Sequence, residues 1–237
     1  MTMLGGVFMP FFYDSTYFVF VLPFVLLAAY AQYKVSSNYK YYAKVRNERN
    51  MTGAEVARII LDRNNLHHVK INQVAGTLSD HYDPRNQTVN LSEGVYSQPS
   101  ISAASIAAHE VGHAIQHEVN YMPLKIRSAI VPVVAFSSQF VWIIIMVGFL
   151  FDFTNLIKLG IFIFVGTVIF QLVTLPVEFD ASRRAIRELS NGLISPDEKS
   201  GSKKVLQAAA LTYVAATLAS IGQLLRLITL SSRNNDN

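Results

Sequence analysis

The sequence predicts an α-helical integral membrane protein with three or four transmembrane helices and an α+β unit outside the bilayer. Three observations carry this. Hydrophobic residues make up 51% of the 237 residues and charged residues 15%, against about 25% charged in a soluble domain, and the mean hydropathy is +0.29. Four windows approach the roughly 20 apolar residues that a spanning helix needs. Between the first two lies a polar stretch with both helical and extended patterns, enough chain for a small folded unit. A chain this apolar, with a net charge of +4, has ample surface to bury and is not disordered. It has no cysteine, which excludes disulfides, thiolate metal sites and cysteine catalysis. Any metal must be held by His, Asp or Glu.

Residues 1–33 read as an N-terminal membrane anchor. Its span runs from Tyr17 to Tyr33, after an apolar stretch from Met3 to Tyr13 that Asp14 interrupts, and Pro23 is tolerable in a membrane helix. Ala29-Tyr30-Ala31 has the form of a small-x-small cleavage site. A secretory signal also needs a positive n-region, and no Lys or Arg precedes Lys34, so a retained anchor is expected. In the polar segment 34–129, Thr52-Gly53-Ala54-Glu55 is a capping box and predicts a helix from Gly53 to about Asn64. Val69 to Leu91 reads as extended: Thr77–Tyr82 and Gln87–Leu91 flank Asp83-Pro84-Arg85-Asn86, a turn-forming tetrapeptide, and predict a hairpin. After Gly94 and Pro99 the pattern is helical and Ala-rich from about Ile101 to Val119.

Ile130–Phe151 and Leu156–Leu175 are the clearest spans and make a transmembrane hairpin over 130–176. Pro176 permits a new helix start or a kink, and 177–204 is expected to carry a further helix outside the bilayer. Residues 205–237 hold the fourth window, Val205–Leu230, interrupted by Gln207, Ser220, Gln223 and Arg226. Its Ala208, Ala209, Ala210, Ala215, Ala216, Ala219 and Gly222 suit close helix packing. It either spans, with Arg226 snorkelling near one end, or packs at the membrane surface; its length favours spanning. Lys34, Lys40, Lys44, Arg46 and Arg49 follow the first span and Arg183, Arg184 and Arg187 the third. This bias puts 34–129 and 177–204 in the cytoplasm. The Asn-x-Ser/Thr sequences at Asn50, Asn86 and Asn90 then face away from any glycosylating lumen.

The chemistry concentrates in His109-Glu110-Val111-Gly112-His113, an HExxH on the Ala-rich helix. Four residues is just over one turn, so both imidazoles leave one face about 6 Å apart along the axis and can ligate one metal ion, with Glu110 beside it as a base. Ala107, Ala108, Val111, Gly112, Ala114 and Ile115 imply a buried helix, and buried His and Glu need partners. Catalytic zinc takes three protein ligands and keeps one position open. His117 stands two turns from His109, about 12 Å along the axis and too far to join one coordination sphere; hydrogen bonding to substrate is its more informative role. His67, His68 and His81 fall in loop or strand. Topology offers Glu178, which the hairpin returns to the same side as the motif. Spacing alone leaves two readings open for it: a third ligand, or a partner of Arg183, Arg184 or Arg187 on a solvated face.

His109 to His117, Asp80-His81-Tyr82-Asp83-Pro84, Glu178-Phe179-Asp180-Ala181-Ser182-Arg183 and Ala208-Ala209-Ala210-Leu211-Thr212-Tyr213-Val214-Ala215-Ala216 together resemble the YugP-type membrane zinc metallopeptidases of bacteria. The resemblance covers nearly the whole chain. More distantly the chain is similar to the HtpX and CAAX-prenyl-protease group, in which HExxH and a glutamate ligand are likewise separated by two membrane helices. The resemblance implies a zincin-like (gluzincin) unit with one zinc per chain, His109, His113 and Glu178 as ligands and Glu110 as catalytic base. One position departs: the distant group usually has Asp four residues after its ligand glutamate, and here Ser182 stands there. A serine is a weaker orienter of a ligand histidine than a carboxylate, and Asp180, on a different face, is the alternative.

The expected activity is hydrolysis of peptide bonds by a metal-activated water, on unfolded or membrane-associated polypeptides. His117, His81, Tyr82, Arg183 or Arg184 would stabilise the oxyanion or touch substrate, and the hairpin would offer an edge strand to an extended peptide. Two rivals stand beside this. An intramembrane zinc protease wants HExxH within a span and an aspartate within another, but Gln116-His117-Glu118 and Asn120 are too polar for mid-bilayer. A non-enzymatic membrane scaffold or metal-binding protein would make Glu110 dispensable. Nucleic-acid binding has no support, because the basic residues sit at span ends.

Overall fold

The computed structural model describes residues 14–235; the stretch Met3–Tyr13 lies outside them. In chain order the elements are α1 (Ser15–Phe20), α2 (Leu22–Tyr42), α3 (Gly53–Arg63), β1 (Lys70–Val74), β2 (His81–Asp83), β3 (Thr88–Ser92), α4 (Glu93–Ser97), α5 (Ile101–Glu118), α6 (Met122–Leu150), α7 (Thr154–Ser190) and α8 (Pro196–Asn235). Among the described residues, four helical segments are long and apolar enough to cross a membrane: Ser15–Tyr42, Met122–Leu150, Thr154–Ser190 and Pro196–Arg233. The fourth window therefore belongs with the other three.

The helix expected to start after Pro176 is instead the continuation of α7, which holds Pro176 in its interior and ends at Ser190. Proline withholds one donor, a local loss, and helical bonds continue on both sides of it. Glu178 thus lies inside α7, two residues after Pro176.

The described residues divide into two compact units. One takes the chain up to Tyr30, Ile126–Thr174 and the chain from Tyr213. Its core gathers Val141, Ile145, Phe164, Val168 and Leu227. Gly222 lets two helices approach closely, since a Cβ there would overlap the Phe20 carbonyl oxygen. Arg226 is buried within the protein. It is 4% exposed, and its Nη2 lies 3.5 Å from the carboxylate of Asp14, the residue that caps α1.

The other unit takes Ala31–Lys125 and Leu175–Thr212. The capping box forms in full: the Thr52 side chain accepts from the Glu55 N–H and the Glu55 side chain accepts from the Thr52 N–H. Such a cap stabilises a helix by about 1 kcal/mol. It starts α3, whose Val56, Ala57, Ile60 and Leu61 enter the core beside Val89, Leu91, Val95, Ala104, Ala107, Ala108 and Val111. The expected hairpin is present as β2 antiparallel to β3, with Tyr82 opposite Val89. An added strand, β1, pairs parallel with the other side of β3, giving the order β1-β3-β2. All five residues of β3 are buried, while β1 is mostly exposed; the fully buried strand takes the centre. α4 is a short helix that the sequence reading did not anticipate. α5 begins at an N-cap, Ser100, whose side chain accepts from the Ala103 N–H.

Candidate metal centre

The centre is built from one face of α5 and one face of α7. Gly112 faces α7 so closely that a Cβ on it would stand 2.7 Å from the Ala181 carbonyl oxygen. That spacing is far inside van der Waals contact, so only glycine lets the two backbones meet here. Beside this contact, the side chains of α5 and α7 reach one another. His109 Nε2 lies 3.3 Å from Glu178 Oε2, and His113 Nε2 lies 3.6 Å from the same oxygen. The imidazoles stand edge to face, with centroids 4.8 Å apart, and the three donor atoms lie within 4.8 Å of one another.

These donors fit zinc. Ligands about 2.1 Å from a tetrahedral zinc lie about 3.4 Å from each other, and the two N···O separations of 3.3 and 3.6 Å fall on either side of that value. Both exceed the common range for N–H···O hydrogen bonds, about 2.7–3.2 Å. The outer nitrogens are already engaged: His109 Nδ1 lies 3.2 Å from Ser182 Oγ, and His113 Nδ1 lies 3.0 Å from Gln116 Oε1. Both Nε2 atoms are therefore left for the side of the ring that faces Glu178. Burial presses His113 towards its neutral form, but the Glu178 carboxylate, Glu110 and the Gln116 amide outweigh it and raise its pKa above the ordinary histidine value.

Glu110 is 8% exposed, and among the described residues no hydrogen bond or ion pair ties its carboxylate down. One turn past His113, His117 Nδ1 is 2.9 Å from the hydroxyl of Tyr82 on β2. Burial, with Asp83 and Glu118 nearby, pushes the Tyr82 phenol up to about 12, so it stays a neutral hydrogen-bonding group at physiological pH.

The remaining sequence candidates separate. His81 has both ring nitrogens occupied, Nδ1 by the Ser79 carbonyl and Nε2 by the Asn90 amide. Arg184 donates to Asp180 Oδ2 at 2.6 Å and lies over the Tyr121 ring. Arg183 lines a cleft of about 620 Å³ with Arg187 and Lys199, a cleft to which the three donors do not contribute. Ser182 meets His109 directly, whereas Asp180 reaches His113 only through Gln116.

Comparison with known proteins agrees with this geometry. Residues 17–232 match the family described as "Putative neutral zinc metallopeptidase". The chain belongs to that family. It is 50% identical over 211 residues to the "Putative membrane protease YugP" of Bacillus subtilis (strain 168), a match covering 89% of this chain and 94% of that one. No solved structure matches the chain. The zinc metallopeptidase family and the four apolar helices make this a membrane protein with a His, His, Glu cluster able to hold zinc.

Gln116 and Gly112 belong to the centre although the sequence suggested no role there for either. Gly112 occupies a variable position of the motif. Gln116 carried a signal, since an amide on an otherwise apolar, buried helix face requires partners.

Proposed function

We propose that the chain is an integral membrane zinc metalloendopeptidase of the HExxH…E (gluzincin) type. It hydrolyses peptide bonds of unfolded or membrane-associated polypeptides at the cytoplasmic face of a bacterial plasma membrane. His109, His113 and Glu178 hold one zinc ion, Glu110 is the general base, and segments 34–129 and 177–204 face the cytoplasm. The observation that carries the reading is a buried carboxylate without a fixed partner, Glu110, next in sequence to one member of a three-donor cluster.

Zinc in this cluster would supply Lewis acidity, polarising a carbonyl and bringing the pKa of a water towards about 7. The protein's own residues do the rest. Glu110 accepts the proton of the attacking water and passes it to the leaving amine, which requires a carboxylate that no other group occupies. His117 is the best-supported contact to the developing oxyanion, because it follows His113 by one turn on the same face and its Nδ1 is held by Tyr82; the ring is then steady enough to present Nε2 to substrate. β2 is an edge strand joined to α5 through that same Tyr82–His117 bond. An extended peptide adding to this edge would lie along the HExxH helix, gaining main-chain hydrogen bonds with little side-chain selectivity. Arg183 and Arg184 are less favoured for the oxyanion, given the cleft and the ion pair they occupy.

Purified protein in detergent is assayed with an unfolded polypeptide, wild type beside Glu110→Gln. Cleavage should fall by at least about 100-fold at unchanged zinc content. Cleavage retained by Glu110→Gln, or a well-folded wild type that takes up no zinc, would overturn the proposal, the second in favour of a non-enzymatic scaffold.

A further inference from the structure

Gln116 is fully buried, and its amide has no freedom of orientation. Nε2 donates to the Val177 carbonyl oxygen at 2.8 Å and to Asp180 Oδ2 at 2.9 Å. A main-chain carbonyl and a carboxylate can only accept, so both amide hydrogens are committed to α7 and the amide cannot be flipped. Its oxygen is then the atom 3.0 Å from His113 Nδ1. An amide oxygen only accepts, so His113 must carry a proton on Nδ1, which makes Nε2, on the side of Glu178, the nitrogen available for ligation. Asp180 is itself pinned by the Arg184 guanidinium, which lies over Tyr121.

We infer that Gln116 is a positioning residue for the metal centre: locked by Asp180 and the Val177 carbonyl, its amide presets the tautomer and ring orientation of His113 for ligation through Nε2. The inference rests on the metal site proposed above and deepens it. The chain Arg184–Asp180–Gln116–His113 also joins the segment that carries Glu178 to the helix that carries both histidines, so a single polar network aligns ligands 65 residues apart in sequence. A neutral amide stands between the carboxylate and the imidazole. It transmits orientation without placing a negative charge directly against the ligand ring, which separates this arrangement from a carboxylate–histidine pair.

The test uses the full-length protein in detergent, with zinc affinity read by competition with a chromogenic chelator and ligand geometry read from the visible absorption of the cobalt-substituted protein. Gln116→Met keeps the side chain's length and apolar volume and removes its hydrogen bonds; Gln116→Asn keeps the amide but withdraws it from His113. In both, zinc affinity should fall about 10- to 100-fold, the usual cost of losing such an outer partner, and the cobalt spectrum should change in band position or intensity. The asparagine variant retains a polar group in the polar pocket and serves if the methionine variant fails to fold. Wild-type zinc affinity and cobalt spectrum reproduced in a folded variant would overturn the role of Gln116 and leave the metal site standing. A wild type that binds neither zinc nor cobalt would overturn the site and this inference with it.

Discussion

Each unit of this protein buries a charged side chain, and the two satisfy it in opposite ways. In the unit of membrane helices, Arg226 is 4% exposed and meets Asp14 at 3.5 Å, with Arg233 3.7 Å from the other carboxylate oxygen and the Tyr17 ring 5.6 Å from the guanidinium. Permanent charges of both signs complete this cluster without a ligand. In the sheet-bearing unit, Glu178 is 2% exposed and faces two imidazoles, groups whose charge depends on what they bind. The contrast teaches how to read a buried charge. Opposite permanent charges make a staple, whereas titratable ligating groups at the spacing of a shared ion make a site.

The largest expected effect follows from the second half of that comparison. Glu178→Ala removes one of three donors and should reduce zinc from about one per chain to a trace, measured by elemental mass spectrometry after gel filtration. Asp14→Ala should leave zinc stoichiometry at the wild-type value. Equal zinc in Glu178→Ala and wild type would erase the distinction between site and staple.

Asp14→Ala tests the other half. Asp14 is one of the groups that offset the buried Arg226 charge, and losing a partner of a buried charge costs up to about 3–5 kcal/mol. The melting midpoint in detergent should therefore fall clearly, and Asp14→Ala combined with Arg226→Met should recover part of the loss, because no charge is then left buried. A single variant that melts with wild type would show that Asp14 does not compensate Arg226.

Much of this was legible in the sequence, because the legible parts are local. The capping box at Thr52, the turn at Asp83–Asn86 and the four apolar windows each announce themselves within one segment, as does the one-turn spacing of His109 and His113. Spacing alone left Glu178 with two readings, since nothing near it in sequence says whether it faces an arginine or a histidine, and only the family resemblance favoured the ligand. The parallel pairing of β1 with β3 had no signature at all: both strands read as extended, and their order follows from which is buried on both faces. Asp14 and Arg226, more than 200 residues apart, and the bonds from Gln116 to Val177 and Asp180 are long-range contacts. There the sequence marks a polar residue in apolar surroundings and is silent about its partner.

Gly112 ties the two halves of the site together, and its substitution should have an intermediate effect. With a Cβ 2.7 Å from the Ala181 carbonyl oxygen, Gly112→Ala forces α5 and α7 apart, an overpacking cost of about 1–3 kcal/mol. The displacement acts directly on the separation between Glu178 and the histidines. Zinc affinity should fall more than Ala114→Gly lowers it, a change on the same helix that opens space instead of closing it. Equal zinc affinities in the two variants would mean that close approach at Gly112 does not set the ligand spacing.

The smallest effect concerns Tyr82, which is half-buried and so partly screened. Its phenol titrates at about 12 in the folded protein and near 10 in an unfolded chain. Between those values the unfolded state releases its proton first, so stability falls as pH rises from about 10 to 12 and is unaffected below. Tyr82→Phe has no such proton to lose. Its melting midpoint should decline less steeply than that of wild type across this interval, while the two curves run parallel from pH 7 to 9. Parallel curves over the whole range would mean that the phenol is hydrated in both states. The bond to His117 would then be too weak to hold that ring towards a substrate, and the oxyanion contact would have to be sought elsewhere on the face of α5.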